Sequence, residues 1–408
     1  MKALFVHNNF PGQYRRIVPY LHRTGKYEMA AVTLETNKQS FNLPSVRFKP
    51  HRSPTKGIHP GLVYTETAVI QGQALYQSLL KVKKKLPSPD IILNHTGWGS
   101  SMFLRDAFPN AKILTYYEWY YHAHDSDGEW ISRKRNDPNA EMRIRLKNTA
   151  ILHDLAAMDW GQCPTRFQHS QFPDIFKDRI SVLHDGVDTE FFTPNEEATL
   201  TIGDTVLTAK DQVITYIARG MEEYRGFPQF METVSILQKK YPALQVVVIG
   251  EDKVSYGKKR SDGKTWKQWA LDTFKFDMSR LHFMGRQPLS VLRDATQITS
   301  AHIYLTAPFV LSWSMMETMA TGALIVGSDT DPVREVIEDG KNGVLVPFWE
   351  PKAIAKKIGH ILDNKEDYRE IRKNARQTIL DRYDVKNLLP KYRQLIESVA
   401  NGSHPVVD

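Results

Sequence analysis

Residues 301–350, AHIYLTAPFVLSWSMMETMATGALIVGSDTDPVREVIEDGKNGVLVPFWE, form the stretch that decides the fold of this 408-residue chain. The pattern predicts a strand at Ala301–Leu305, an irregular loop, a helix beginning at Met315, a second strand at Ala323–Gly327 and a glycine-containing turn. A loop that leads into a helix N-terminus presents unpaired backbone N–H groups, which suit a phosphate group. Glu317 follows two residues into the helix, where a carboxylate is able to accept hydrogen bonds from both hydroxyls of a ribose. For Glu317 taken alone, a solvent-facing side chain is the alternative.

Outside this stretch, short apolar runs alternate with longer segments of helical period. Near-continuous runs of Val, Ile and Leu favour parallel strands that are covered on both faces. Their alternation with helices predicts doubly wound α/β sheets, twice over. The other predicted strands are Ala3–His7, Met29–Leu34, Ile91–Asn94, Lys112–Tyr116, Met158–Gly161, Ile180–His184, Val213–Ala218, Gln245–Gly250, Leu281–Met284 and Gly343–Val346.

The length of the chain predicts two domains, because a single core rarely serves so many residues. We predict an N-terminal domain over residues 1–195, a polar linker over 196–210 and a second domain over 211–382. The remaining residues, 383–408, contain an amphipathic helix pattern and a tail. Doubly wound domains bind ligands at the C-terminal ends of their strands, so candidate site residues are sought there.

The segment Glu317–Gly322, ETMATG, resembles the second half of the nucleotide-sugar motif of family 4 glycosyltransferases, E-G-F-G-x-x-x-x-E-A-M-A-x-G. Phe309 stands where that motif has its leading acid. Val6–Gln13, VHNNFPGQ, and Pro308–Ser314, PFVLSWS, resemble a narrower bacterial subgroup. The resemblance covers nearly the whole chain. It implies the GT-B fold, in which two Rossmann-like domains face a central cleft and a C-terminal helix crosses back to the first domain.

Charged or glycine-containing loops follow the strands of the second domain. Arg219 and Arg225 follow the strand VITYIA, and two charge-assisted hydrogen bonds of about 1.5–3 kcal/mol each would hold a diphosphate. A pair of solvated charges is the alternative. The resemblance implies that both arginines contact the donor diphosphate, that Glu317 contacts the ribose and that Arg286 follows a turn beside the base. The remaining candidate positions for nucleotide binding are Gly250, Ser312, Trp313, Ser314 and Met315.

In the first domain, Gly12 and Gln13 lie between the first strand and the next helix, expected to begin near Tyr14. Gly12 would let backbone approach a ligand closely, although tight turns also need glycine for structural reasons alone. Glu118 and His122 lie in an aromatic-rich segment, where rings stack on sugars and either group is able to polarise a hydroxyl. The resemblance places Glu118 near a family histidine that borders the donor sugar. An aromatic-rich interdomain surface remains the alternative for this segment.

Charge and cysteine content narrow the class of protein. The net charge of +8 indicates an acidic partner, such as a diphosphate, an anionic membrane surface or nucleic acid, and no nucleic-acid motif is present. The basic run Lys81–Lys85 favours a helix end, with a peripheral membrane contact as the alternative. The single cysteine excludes an intrachain disulfide and indicates a cytoplasmic setting, with the inner face of the membrane as a second location.

Metal binding is poorly supported by the sequence. Asp125–Asp127 and Asp329–Asp331 both have the D-x-D spacing, which is common in turns, and no His/Cys cluster has zinc spacing. GT-B enzymes generally need no metal, so the resemblance implies metal independence, and no cofactor is expected.

These features together predict a glycosyltransferase of the hexosyltransferase type, and the resemblance implies that it is retaining and metal-independent. It would move a sugar from a UDP- or GDP-linked donor to a hydroxyl of a glycan, lipid-linked or protein acceptor. Phe309 leaves two alternatives open, a catalytically silent sugar-nucleotide-binding subunit and a GT-B epimerase or hydrolase.

Overall fold

The structure, a computed structural model, describes residues 1–82 and 88–405, so Lys83, Lys84 and Lys85 of the basic run lie outside the described residues. The chain divides into two compact units. Unit 1 comprises residues 1–129, 134–186 and those from 385 onwards, and unit 2 comprises residues 130–133 and 187–384.

Unit 1 contains a seven-stranded parallel sheet. Its strands are β1 Lys2–Val6, β2 Glu28–Leu34, β3 Ser45–Phe48, β4 Ile91–His95, β5 Lys112–Tyr116, β6 Trp160–Cys163 and β7 Ile180–Val182. Their order in the sheet is β3-β2-β1-β4-β5-β6-β7. The helices are α1 Ile17–Thr24, α2 Val63–Val82, α3 Leu104–Ala107, α4 Asp127–Ser132, α5 Pro138–Lys147, α6 Thr149–Ala157, α7 Arg166–Ser170 and α8 Asp174–Lys177, and the last residues of α4 belong to unit 2.

Unit 2 contains a hairpin, β8 Thr199–Ile202 and β9 Thr205–Thr208, and a six-stranded parallel sheet. The strands of that sheet are β10 Val213–Gly220, β11 Gln245–Glu251, β12 Leu281–Gly285, β13 Ala301–Tyr304, β14 Ile325–Ser328 and β15 Val344–Val346. Their order is β12-β11-β10-β13-β14-β15. The helices are α9 Phe227–Lys240, α10 Trp266–Thr273, α11 Leu289–Gln297, α12 Trp313–Ala320, α13 Asp331–Arg334, α14 Pro351–Asp363 and α15 Arg369–Arg382.

The hydrophobic core of each unit lies around its sheet, because the strands are continuously apolar. Ile91, Ile92 and Leu93 of β4 are fully buried, so successive side chains on both faces of the sheet are covered. Val246, Val247 and Val248 of β11 are buried in the same way. The predicted fold class, two doubly wound α/β sheets, is confirmed.

The last helix, α16 Val385–Ala400, belongs to unit 1 and packs against α1 and β5. Its apolar residues recur at helical spacing, and Leu395 and Ile396 are fully buried in the unit 1 core. Burial of each such side chain stabilises the fold by about 1.5–3 kcal/mol. The chain therefore returns to its first unit at the end, as the GT-B resemblance implies.

Residues 196–210, which we expected to form a linker, instead contain the hairpin of β8 and β9. Leu200 and Leu207 are buried beside α11 residues and β10 side chains, and the turn falls at Gly203-Asp204 as expected. The main boundaries between unit 1 and unit 2 lie at 186/187 and 384/385. The alternation of polar and apolar residues here is too short to indicate a pair of strands. Strand β3, which is also four residues long, was not predicted for the same reason.

Other element boundaries also differ from the predicted ones, as three examples show. The helix expected from Met315 begins at Trp313, because the Ser312 hydroxyl caps it by accepting from the N–H of Ser314. The chain near Tyr14 forms a 3₁₀ turn over Gly12–Arg15, and the α-helix begins at Ile17. Strand β6 begins at Trp160, two residues after the expected Met158.

Candidate functional site

Cations gather at the C-terminal edge of the unit 2 sheet. Arg219 is the penultimate residue of β10, Arg286 follows β12, and both lie close enough to Glu251 to influence its ionisation. Lys253 pairs with Glu251 at 2.5 Å and holds the pKa of that carboxyl below its usual range, with Arg286 and Arg219 contributing. Three cations against one carboxylate leave positive charge at this edge, as an anionic ligand requires.

Arg225 is a buried cation without a carboxylate partner. Its side chain is 4% exposed, donates from Nη1 to Thr306 Oγ1 at 2.7 Å and lies over the Tyr256 ring at 5.1 Å. Within residues 1–82 and 88–405, no carboxylate oxygen comes within 4.0 Å of its guanidinium. A buried unpaired charge is costly, so an anion beside Arg225 would be bound favourably.

The N-terminus of α12 lies beside this cation. The Tyr304 hydroxyl accepts from the N–H of Ser312 at 2.7 Å and is within hydrogen-bonding reach of the Arg225 side chain. The Ser314 hydroxyl donates to the carbonyl of Ile217 at 3.3 Å, which ties the helix start to β10. The N-terminus of α12 and a guanidinium thus lie in one region, and both attract phosphate.

Glu222 fixes the loop that carries Tyr256. Its fully buried carboxylate accepts from the backbone N–H groups of Ser255, Tyr256 and Gly257 at 2.7–3.2 Å. The Tyr256 ring in turn meets the ring of Phe309 at 5.3 Å. The loop is therefore held in place by an acid that lies between the two arginines in the sequence.

Phe309, which occupies the position of the family's leading acid, is packed into this aromatic cluster. Its ring meets Tyr224 at 5.5 Å, edge to face, and the side chain is 8% exposed. Phe309 thus places an apolar ring beside Tyr256, whose own ring lies against the Arg225 guanidinium.

The other predicted nucleotide-binding residues of unit 2 differ in burial and in structural role. Met315 is fully buried in the core of unit 2, which leaves only its backbone for a ligand. Glu317, also on α12, is 5% exposed, and Trp313 is partly buried. Gly250 has a clear structural reason, since a Cβ there would lie 2.2 Å from the Ala218 carbonyl oxygen. Their roles toward a nucleotide stay predictions.

In unit 1, four polar side chains form a chain at the C-terminal ends of β1, β4 and β5. The N–H of Asn9 donates to His7 Nδ1, so His7 Nε2–H donates to Gln13 Oε1 at 2.8 Å. Gln13 Nε2 then donates to Glu118 Oε1 at 3.3 Å, and Glu118 Oε2 lies 3.7 Å from His95 Nε2. The structure thus brings together two predicted site residues, Gln13 and Glu118, with His7 and His95.

His95 and Glu118 face one another as two acceptors. His95 Nδ1 lies 2.7 Å from the Thr96 carbonyl oxygen and must donate to it, which leaves a lone pair on Nε2. Burial lowers the pKa of His95 to about 4, so the ring is neutral at pH 7. A hydroxyl placed between Nε2 and the carboxylate would find an acceptor for its proton in either direction.

The position of the His7 ring leaves room only for a glycine at position 12. A Cβ at Gly12 would lie 2.3 Å from the His7 ring, and the backbone at Gly12 has φ of +49°. The glycine therefore allows the His7–Gln13 hydrogen bond to form, which gives it a structural role beside the ligand contact that the sequence left open.

The chain of polar groups borders a cavity of about 340 Å³ within unit 1. Its walls come from the start of α2, the loop after β4, the loop after β5 and the junction of α5 with α6. Four tyrosine and tryptophan side chains line it, together with hydroxyls and three acids or bases; its main lining residues are Tyr64, Thr65, Gln71, His95, Trp98, Glu118, Trp119, Tyr121 and Lys147. Such a mixture suits a carbohydrate ring.

His122 lies apart from this cavity. It is exposed, and its Nε2 donates to the carbonyl of Gln171 at 2.8 Å. Of the two residues that we selected in the aromatic segment, only Glu118 lies with Gln13 and His95.

The D-x-D pairs do not assemble a metal site in the described part of the chain. Asp329 accepts from both Nε and Nη2 of Arg334, at 2.6 and 2.9 Å. No group of three or more His, Cys, Asp or Glu side chains among the described residues is arranged to hold a metal ion.

We expect the fold to lose stability as the pH falls below about 6.5. Burial lowers the pKa of His7, His184 and His302 to about 3, and that of His95 to about 4. Each is neutral when folded but binds a proton below pH 6.5 when unfolded, so each costs about 1.4 kcal/mol per pH unit on acidification. Thermal denaturation between pH 7 and pH 5 should show a falling Tm.

The control for that prediction is Asp154→Asn. Burial raises the pKa of Asp154 to about 6, so protonation of this carboxyl offsets part of the loss as the pH falls. The variant should therefore show a steeper decline than the natural chain. A Tm that stays constant or rises on acidification would contradict the histidine account.

Several site residues escaped the sequence analysis. His7 ends the predicted strand Ala3–His7 and His95 follows the predicted strand Ile91–Asn94, so a search at strand ends would have found both. Glu222 and Tyr256 act on loops through backbone contacts and packing, for which the sequence has no signal. Lys147 lies at a helix junction that we did not single out.

Comparisons with known proteins identify the family. Residues 25–192 match the family model for "Glycosyl transferase family 4 group", and residues 201–378 match that for "Glycosyl transferases group 1". The chain belongs to the GT-B glycosyltransferases. The two matched segments fall largely in unit 1 and unit 2 respectively, so each unit of this glycosyltransferase-family chain has its own family match.

Similar solved structures support the fold. The chain is similar to sucrose-phosphate synthase from Thermosynechococcus elongatus, with a TM-score of 0.73, 15% identity and coverage of 99% of this chain and 100% of that one. It is also similar to Anabaena HepE, solved in complex with UDP and glucose, with a TM-score of 0.64, 14% identity and coverage of 98% and 100%.

The curated relatives match only part of the chain, and only part of their own length is matched. The D-inositol 3-phosphate glycosyltransferase of Corynebacterium urealyticum is 25% identical over 232 residues, 55% of this chain and 53% of that protein. The phosphatidyl-myo-inositol mannosyltransferase of Mycolicibacterium smegmatis is 24% identical over 159 residues, 38% of this chain and 37% of that protein. This chain thus covers about half or less of the length of these relatives. Among its described helices, none is long and apolar enough to cross a bilayer.

Proposed function

We propose that the protein transfers a hexosyl group from a UDP- or GDP-linked sugar to an acceptor hydroxyl. Unit 2 binds the donor: Arg225 and the N-terminus of α12 hold the diphosphate, Arg219 and Arg286 add charge from the sheet edge, and Glu317 accepts from the ribose hydroxyls. Unit 1 binds the acceptor beside Glu118. HepE, similar in fold, was solved with UDP and glucose.

The observation that carries this proposal is the buried, unpaired guanidinium of Arg225. The side chain lies beside the hydroxyls of Thr306 and Tyr304 and the ring of Tyr256, and in the described part of the chain no carboxylate is within ion-pairing distance of it. A diphosphate supplies two negative groups, and it pairs with a guanidinium through two parallel hydrogen bonds. The family match to glycosyl transferases group 1 over residues 201–378 agrees with a sugar-nucleotide ligand for this unit.

In the proposed reaction, the acceptor oxygen forms a bond to the anomeric carbon of the donor sugar. The bond from that carbon to the diphosphate oxygen breaks, and its electron pair leaves with the diphosphate. The cations of unit 2 stabilise the charge that develops there. The acceptor proton passes to the leaving diphosphate or to Glu118. Front-face attack with retention, without a metal or other cofactor, is part of the proposal.

We expect Glu317→Gln to weaken nucleotide binding about tenfold and to leave the Tm within a few degrees of the natural value. The amide keeps the shape of the buried side chain but is a poorer acceptor for two ribose hydroxyls. Calorimetric titration of the nucleotide measures the effect. Deoxyribonucleotides provide the control: their affinity should change less in the variant, and equal losses for both would remove the ribose assignment.

The test of function is release of nucleoside diphosphate from a panel of UDP- and GDP-sugars, with and without acceptors. Release that depends on an acceptor, with formation of a glycoside, supports the proposal. Donor binding without turnover would indicate a silent subunit, and consumption of donor without acceptor would indicate an epimerase or hydrolase. The same assay with EDTA tests metal independence, which predicts an unchanged rate.

A further inference from the structure

The unit 1 cavity has two chemically different regions. One region contains Glu118 and the lone pair of His95, both hydrogen-bond acceptors. The other contains Lys147, at the C-terminal end of α5. The indole side chains of Trp98 and Trp119 also line the cavity. A ligand that fills it therefore meets acceptors, a cation and flat apolar rings.

Lys147 is held by aromatic rings and has no acidic partner. Its Nζ lies 4.9 Å from the ring centroid of Tyr64 and 4.8 Å from that of Tyr121. No carboxylate in the described part of the chain lies within ion-pairing distance of this half-buried ammonium. Ring faces attract a cation but satisfy none of its N–H donors as an anion would.

The surroundings of Lys147 are ordered before any ligand binds. The Asn148 side chain accepts from the N–H of Tyr121 at 2.9 Å and donates to its carbonyl at 2.8 Å, which fixes the ring beside Lys147. The Thr65 hydroxyl donates to that of Thr149 at 3.2 Å and ties α2 to α6. Preorganisation of this kind lowers the entropic cost of binding.

We propose that this cavity binds the acceptor, and that the acceptor is an acidic sugar. The sugar ring lies against Trp98 and Trp119, a carboxylate or phosphate on the ring pairs with Lys147, and the attacking hydroxyl donates to Glu118 or His95. Repulsion between the acid of the ligand and Glu118 orients the sugar, because only the Lys147 region attracts its anion. The assignment rests on the proposed function and names its acceptor class.

The test measures binding of three sets of methyl hexopyranosides to the full chain by NMR saturation transfer and calorimetry. Each set, in the gluco, galacto and manno series, contains a neutral glycoside, its uronate and its 6-phosphate. We expect at least one anionic glycoside to bind at least about tenfold more tightly than its neutral counterpart, as a charge-assisted hydrogen bond predicts. Preference for the uronate or for the 6-phosphate identifies the anion.

Three variants separate this assignment from a general effect of basic charge. Lys147→Met should reduce the anionic preference to about onefold and leave neutral glycosides unaffected, while Lys147→Arg should retain most of it. Arg143→Met removes a cation from the same helix outside the cavity lining and should change nothing. Equal binding of neutral and anionic glycosides by the natural chain, or an equal loss in Arg143→Met, would overturn the assignment.

Nucleotide titrations of the same proteins keep this result distinct from the donor hypothesis. Lys147→Met should bind UDP or GDP as the natural chain does. Anionic preference without any nucleotide binding would support the cavity assignment and contradict the glycosyltransferase proposal. Nucleotide binding with no anionic preference would leave the donor site in place and overturn the acidic acceptor.

Discussion

Arg225→Met is expected to weaken binding of the nucleoside diphosphate by about ten- to a hundredfold without lowering the Tm. The guanidinium is buried and has no acidic partner in the described structure, so it contributes to ligand binding more than to folding. Methionine keeps the apolar stem in its place over Tyr256 and removes only the charge. Calorimetry of UDP and GDP, with thermal denaturation of the same samples, measures both effects.

Arg280→Met provides the matched control for Arg225. Arg280 pairs with Asp277 at 2.8 Å and donates to the carbonyls of Tyr241 and Leu244. Its loss should lower the Tm and leave nucleotide affinity unchanged, the opposite of the Arg225 result. If Arg225→Met unfolds the chain while Arg280→Met does not, Arg225 is a structural cation and the donor site lies elsewhere.

Glu118→Gln is expected to reduce turnover about a hundredfold with nucleotide affinity unchanged. The amide cannot take the acceptor's proton, and positioned acid–base groups typically contribute about 10²–10⁴ in rate. Gln168 holds the backbone of residue 118 by donating to its carbonyl at 2.6 Å, so the variant should keep the local structure. The measurement is the rate of acceptor-dependent nucleoside diphosphate release at saturating donor.

His122→Gln is the control for Glu118. Both residues come from the same aromatic segment, but His122 is exposed and bonded to the Gln171 carbonyl rather than placed in the cavity. Turnover near the natural rate is therefore expected. Equal losses in the two variants would point to disruption of the segment as a whole, and full activity of Glu118→Gln would remove Glu118 from the chemistry.

The two sheets could be predicted from the sequence because their strands are buried on both faces. Runs such as Val246–Val248 carry no polar residue to obscure the pattern, and their boundaries were within two residues of the structure. The hairpin of β8 and β9 was missed for the opposite reason. Its strands are four residues long and half exposed, so only Leu200 and Leu207 mark the buried face.

The sequence predicted candidate site residues only where they lie near the ends of strands. Arg219, Arg286, Gln13 and Glu118 lie near the ends of predicted strands, and within each unit the parallel strands bring their carboxyl ends to one edge of the sheet. Contacts that depend on tertiary packing had no such signal. Only the structure shows that the His7 ring leaves no room for a Cβ at Gly12. The same holds for the hydrogen bonds of Glu222 to three backbone N–H groups and for the two rings beside Lys147.

The most direct test of the central claim is a calorimetric titration of the natural chain with UDP, GDP and ADP, repeated on Arg225→Met. We predict micromolar binding of UDP or GDP and a loss of at least about tenfold in the variant. No binding of any of the three, or equal affinity in both proteins, would contradict a nucleotide-sugar site at Arg225.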